Sequence, residues 1–261
     1  MAGHNKWSKI KHRKAVVDKR RGKVWTKCAK AIMVAAKHGG GDPDSNLSLR
    51  YAIDEARYAN MPRDTIERAV KKGAGELGGE DWETLRYEGY GPRGVAVVVE
   101  ALTNNRTRTA TDVRNAFTKY GGNLGLAGCV GFLFESKGVI EVDASGKSED
   151  EMVELAINAG ASDATKSDDD DDGAGSGGGA NRWTVSTAPL DFHAVKTAIE
   201  RAGLIISDAR IDMIPSTAVT ITGDDARTAM KLIDTLEDND DVQKVYCNMD
   251  IPEGDLAGLE D

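Results

Sequence analysis

The chain has 261 residues, 40% hydrophobic and 30% charged, with a net charge of −9; that is length enough for two or three domains, each burying a core. The charge is unevenly placed: residues 1–37 hold twelve Lys or Arg against a single acid, Asp18, so everything beyond carries about −20. Three well-separated cysteines without a CxxC pair exclude a disulfide framework or a zinc ribbon, and no apolar run approaches the roughly 18 residues that cross a bilayer.

The predicted elements begin with a helical segment. In KVWTKCAKAIMVAAKHGGG, Lys23, Lys27, Lys30 and Lys37 share one helical direction, and Val24, Cys28, Ala31, Ile32 and Ala35 lie opposite. Gly39, Gly40 and Gly41 end this helix. Ser45 or Asn46 caps a second helix reaching Ala59, and Pro62 and Gly73 bracket a third. A bundle over residues 1–78 results. Beyond the Gly-rich link GAGELGGE, strands and helices alternate: GVAVVVEAL a strand, TATDVRNAFTKYGG a helix, VGFLF and GVIEV strands. SEDEMVELAINAG is a helix opened by the capping box Ser148 and Glu151. NRWTVST, DARIDMIP, AVTIT and VQKVYC are further strands, with LDFHAVKTAIERAG and DDARTAMKLIDTLED as helices. The class is α+β: a three-helix bundle plus two ferredoxin-like α/β domains. Residues 167–181, with five consecutive aspartates and a Gly/Ser/Ala run, form an overgrown hairpin loop, and 249–261 an acidic tail.

The chemistry lies in the basic arm. Lys6, Lys9, Lys11, His12, Arg13, Lys14, Arg20, Arg21, Lys23, Lys27 and Lys30 make its binding face, and Trp7 can stack on a base or cover the bundle. A solvated helix face normally mixes signs; this one has almost no acids, so the expected partner is nucleic acid. If about six of these cations meet phosphates, log affinity falls with log salt at a slope near −5. Exchange of Lys23, Lys27 and Lys30 for Glu is then expected to abolish binding and leave the bundle folded. An anionic membrane is the rival polyanion, but alanines dominate opposite the lysines and only Trp25 and Ile32 are large. A second candidate is TNNRTRTATD, where Arg106 and Arg108 could hold a phosphate at a helix start, against ordinary capping by Thr109 or Thr111. GYGPRG at 89–94 matches GxGxxG, but it precedes a strand and contains Pro92, so a turn suffices. GGNLG, 121–125, is a tight turn that a partner could approach closely. No nucleophile–base pair, catalytic motif or metal spacing is present; no catalytic residue, metal or cofactor is assigned, and a non-enzymatic, cytoplasmic monomer is expected.

Laid out in order, MAGHNKWSKIKHRK, DKRRGKVWTK, GGGDPDSNLSLRYAI, NMPRDTIERAVKKG, YEGYGPRGVAVVVEALTNNRTRT, GGNLG, MIPSTAVTI and LEDNDDVQKVY give a chain that resembles the YebC-like family over nearly its whole length. The resemblance implies a helical bundle, a central α/β domain split in sequence (79–131 plus 207–248) and an α/β domain inserted into it (132–206). It also implies a regulator of gene expression without catalysis, acting on DNA in transcription or, alternatively, on rRNA or tRNA at the ribosome. Cys129 stands where the family usually has serine, and the Asp/Gly-rich stretch is longer than usual.

Overall fold

A computed structural model of the chain describes residues 18–75, 82–167, 181–252 and 255. The chain forms two compact units, Met1–Glu135 with Ile214–Asp261, and Ser136–Met213. Among the described residues there are seven α-helices, the first three preceding all strands.

In the first unit, α1 (Asp18–Gly39), α2 (Leu47–Tyr58) and α3 (Arg63–Gly73) make the bundle. The apolar stripe of α1 supplies Cys28, Ile32 and Ala36 to a core with Leu49, Ile53, Ala56 and Ile66. Asn46 is the N-cap of α2: its side chain accepts from Leu49 N at 3.1 Å and donates to Ala35 O at 2.8 Å, so one residue starts α2 and ties it to α1. Gly73 lies where α3 crosses α1, and a Cβ there would meet Met33 O at 2.4 Å. Only glycine allows that approach.

The body of this unit carries a sheet of order β3-β1-β2-β9. The strands are β1 (Glu83–Tyr90), β2 (Ala96–Thr103), β3 (Asn123–Leu124) and, after the second unit, β9 (Val242–Cys247). β1 pairs antiparallel with β2 from Glu83↔Thr103 to Tyr90↔Ala96. Helices α4 (Arg106–Lys119) and α7 (Gly223–Glu237) pack on it through Val113, Phe117, Leu232, Ile233 and Leu236, against Val97, Val99 and Val245. Side chains of that size, fully buried, contribute about 1.5–3 kcal/mol each. β1 had no strand signal beyond its tyrosines; Arg86, Glu88 and Gly89 mask the alternation. The predicted strand AVTIT shrinks to β8 (Val219–Thr220), which pairs in parallel with β10 (Met249–Asp250). The acidic tail therefore begins later than expected, because Met249 and Ile251 are core residues.

In the second unit the sheet order is β5-β6-β4-β7, from β4 (Phe134–Asp143), β5 (Asp163–Lys166), β6 (Arg182–Thr187) and β7 (Ile205–Pro215). With α5 (Glu149–Ala159) and α6 (Phe192–Arg201) this is the βαββαβ order of a ferredoxin-like domain. The Ser148–Glu151 capping box is present. VGFLF is not a separate strand: Gly131–Leu133 form a 3-10 turn and β4 starts at Phe134. β5 and β6 pair antiparallel, as the hairpin reading requires; the Asp/Gly-rich loop itself lies outside the described residues. Arg210 on β7 is nearly buried among Glu141, Asp208 and Asp212, its Nη1 bonding Glu141 at 3.2 Å and Asp208, its Nε bonding Asp212 at 3.1 Å. No helix among the described residues is long and apolar enough to cross a membrane.

Candidate nucleic-acid interface

The lysine face of α1 is partly covered: Lys30 is nearly buried, while Lys23 and Lys37 stay exposed. The face lies on the C-terminal end of α7 and the turn that follows. Lys23 Nζ donates to Asp238 O at 3.1 Å and Asp238 Oδ1 at 3.0 Å. Lys27 Nζ donates to Glu237 O at 2.7 Å. Lys30 Nζ donates to Asp240 O at 2.6 Å, pairs with Asp241 Oδ1 at 3.4 Å, and sits 4.6 Å from the centre of the Trp82 ring. A helix C-terminus presents carbonyls without intrahelical donors and the negative end of the macrodipole. Three ammonium groups at helical spacing meet that demand. Farther along, Lys244 Nζ reaches Glu55 Oε1 at 3.0 Å.

Asp241 is the centre of this contact. Its side chain is 6% exposed and its Oδ2 accepts from Arg108 Nη2 at 2.6 Å, Thr109 Oγ1 at 2.9 Å and Thr103 Oγ1 at 3.1 Å. Its backbone oxygen takes Leu102 N at 2.7 Å. Burial works to raise the Asp241 carboxyl, but the bonds from Arg108 and Thr109 and the Lys30 ammonium prevail and hold it below the usual carboxylate range. A carboxylate depressed in the folded state stabilises fully above its unfolded value of about 3.9 and loses that contribution as pH falls through the lower, folded value. The melting temperature is therefore expected to hold near neutrality and to drop on acidification below about pH 4, and Asp241→Asn is expected to flatten that acid limb; thermal melts across pH measure both.

The predicted site residues thus separate. Lys6, Trp7, Lys9, Lys11, His12, Arg13 and Lys14 lie outside the described residues. Arg20 and Arg21 fall on the first turns of α1. Lys23, Lys27 and Lys30 each also bond acceptors within the chain. Arg108 pairs with Asp241 while its side chain stays half exposed, and Arg106 is exposed at the start of α4. That helix begins earlier than predicted: Asn105, not Thr109 or Thr111, is the cap, its Oδ1 accepting from Arg108 N at 3.1 Å. Thr109 is buried and serves Asp241 instead.

The turn glycines also work inside the fold. Gly121 has φ +72°, and a Cβ on Gly122 would meet Tyr90 O at 2.6 Å, so the close approach is by the chain's own β1. Glu88, missed in the sequence, is a buried carboxylate accepting from Val130 N at 3.0 Å and Gly131 N at 2.7 Å. It fixes the loop carrying Cys129 and the exposed Leu126 and Phe132. In GYGPRG, Pro92–Gly94 form a 3-10 turn, and Arg93 Nε pairs with Asp225 Oδ2 at 2.6 Å. Among the described residues no group of three His, Cys, Asp or Glu could hold a metal ion.

Comparison with known proteins gives a consistent answer along the chain. Residues 5–76 match the model of the TACO1/YebC protein N-terminal domain, and 82–249 that of the TACO1/YebC second and third domain. A protein of Sulfurihydrogenibium sp. named "Probable transcriptional regulatory protein" is 49% identical over 261 residues, covering 100% of both chains. One of Citrifermentans bemidjiense with the same description is 51% identical over 259 residues, 99% of this chain and 100% of the relative. The crystal structure of a conserved hypothetical protein from Aquifex aeolicus superposes with TM-score 0.78 at 46% identity, covering 92% of this chain and 94% of that one. A bundle and a two-part body, matched in this order by both domain models, place the chain in the TACO1/YebC family.

Proposed function

We propose that this protein is a non-enzymatic regulator of gene expression that binds DNA in transcriptional control through its basic N-terminal domain. The observation that carries the reading is the charge asymmetry: twelve cations against one acid in residues 1–37 of a chain whose net charge is −9. Binding by phosphate contact follows from such a segment, and the relatives' printed descriptions as transcriptional regulatory proteins support the regulatory role. With Lys23, Lys27 and Lys30 turned onto α7, the cations that meet phosphate first are Lys6 to Arg21, and Arg106 adds a second contact. The cytoplasm is the compartment where such a target is met, and the protein acts there as a monomer.

A second reading, association with ribosomal RNA or tRNA as a translation factor, is favoured by one feature of α1. Its sequence, DKRRGKVWTKCAKAIMVAAKHG, contains no Asn or Gln, side chains that commonly read base edges. Recognition by backbone and shape suits structured RNA. Sucrose-gradient sedimentation from DNase-treated lysate separates the two. Comigration with ribosomes at low salt, lost at high salt, establishes the RNA reading. Absence from ribosomes, with retention of promoter fragments, establishes the DNA reading. Retention by neither, with binding to anionic vesicles instead, overturns both.

A further inference from the structure

We propose that the acidic end of α7 is an internal competitor for the lysine face of α1, a surrogate for phosphate that an incoming polyanion displaces at Lys23 and Lys27 while Lys30 holds. The inference rests on the nucleic-acid reading above. Three observations carry it.

The partners have the chemistry of a phosphate chain. Along one helix end, Glu237 O, Asp238 O, Asp238 Oδ1, Asp240 O and Asp241 Oδ1 receive successive ammonium groups at 2.7, 3.1, 3.0, 2.6 and 3.4 Å. They are anionic or dipole-enriched oxygens, the kind of acceptor a nucleic-acid backbone offers to lysine.

The bundle and body cores share no buried residue: Cys28, Ile32, Leu49 and Ile66 belong to one, Phe117, Leu232, Leu236 and Val245 to the other. The lysine acceptors at α7's end are all carbonyl or carboxylate oxygens, so the bonds that a release breaks are polar.

The contact is graded along α1. At its outer end the side chains of Lys23 and Asp238 are 46% and 74% exposed; at its inner end those of Lys30 and Asp241 are 11% and 6% exposed. Exposed ion pairs are weak and screened by salt, whereas a buried pair that loses one partner strands a charge. The outer lysines therefore exchange partners readily and the inner one stays. Lys23 is the next cation after Lys19, Arg20 and Arg21, with Gly22 between, so a phosphate chain bound to the arm reaches it next.

The test is a double-mutant cycle on the full chain: wild type, Asp238→Asn, Lys23→Gln and the double variant. Affinity is read by fluorescence anisotropy on a labelled DNA duplex and on a labelled RNA hairpin at low salt. If Asp238 competes for Lys23, Asp238→Asn tightens binding roughly two- to fivefold, the range expected for one exposed ion pair. That gain disappears in the Lys23→Gln background, where no ammonium is set free. An equal gain in both backgrounds would mean that Asp238 acts only through its field, and would overturn the competition. No gain in the wild-type background overturns it as well. If the wild-type chain binds neither probe, the nucleic-acid reading itself falls, and the inference with it. Asp238 is exposed and Asn conserves its shape, so an unchanged melting temperature certifies that each variant is folded.

Discussion

Asp241→Ala is expected to destabilise the first unit by about 3–5 kcal/mol, the cost of removing one partner from a buried ionic network. The reason is the number of groups that depend on this carboxylate. Lys30 and Arg108 bring charge to it, Thr103 and Thr109 donate hydroxyl hydrogens, and both threonines are themselves fully buried. Among the described residues, alanine leaves the Lys30 ammonium only Asp240 O and the Trp82 ring. At about 2–4 °C per kcal/mol for a unit of this size, the melting temperature falls by roughly 6–20 °C. Asp241→Asn, which keeps the shape and one oxygen, falls less. Asp240→Ala makes the control, because Asp240 bonds Lys30 through its backbone oxygen and its side chain is exposed; its effect stays within about 0.5 kcal/mol. A melting temperature equally insensitive to both substitutions would refute the role given to Asp241.

The second large effect is that of exchanging Lys23, Lys27 and Lys30 together for Glu. Each new carboxylate would face the carbonyl end of α7, and the one at position 30 would oppose Asp241 in a nearly buried site. Like charges at a helix C-terminus are unfavourable, and an uncompensated buried charge costs several kcal/mol. The expected result is separation of α1 from the body, with a fall in melting temperature larger than that of Asp241→Ala and faster hydrogen exchange in residues 236–242. Loss of nucleic-acid binding in this variant would then report damaged structure as much as lost contacts. This reverses the sequence-based expectation that the triple exchange spares the fold. A triple variant that melts with the wild type would restore that expectation.

The contrast shows what was legible in the sequence. Helices α1, α2 and α5 were marked by apolar periodicity and by caps whose chemistry is local: Asn46 and Ser148 satisfy amides a few residues away. The ferredoxin-like order followed from the alternation of strand and helix signals. Partnership across long sequence separations was not legible. The lysine line carried a true periodic signal, but a period of cations does not say whether they face phosphate or a carbonyl-rich helix end some two hundred residues later. Asp241 was hidden in LEDNDD, a run of acids that reads as solvated surface. The cue available was the juxtaposition of two unusual features, an unbalanced lysine face and a helix ending in acids without a basic residue in its last turn. Likewise α4 started ahead of its predicted Thr cap because Asn105 is followed by RTRT, whose threonines look like caps while one of them is buried against Asp241. Glu88 could not be distinguished from an exposed acid until β1 placed it beneath the amides of Val130 and Gly131.

The central claim is that the cations from Lys6 to Arg21 bind nucleic acid while Lys23, Lys27 and Lys30 secure the bundle. It is tested most directly by neutralising the former alone. In the full chain, Lys9→Gln, Lys11→Gln, Arg13→Gln and Lys14→Gln together should leave the melting temperature unchanged. Binding of a labelled DNA duplex or RNA hairpin, measured by anisotropy over a salt titration, should weaken, with the slope of log affinity against log salt falling by about 3 to 4 as four phosphate contacts are lost. Wild-type affinity with an unchanged salt slope in that variant would contradict the account, and would move the interface to another part of the molecule.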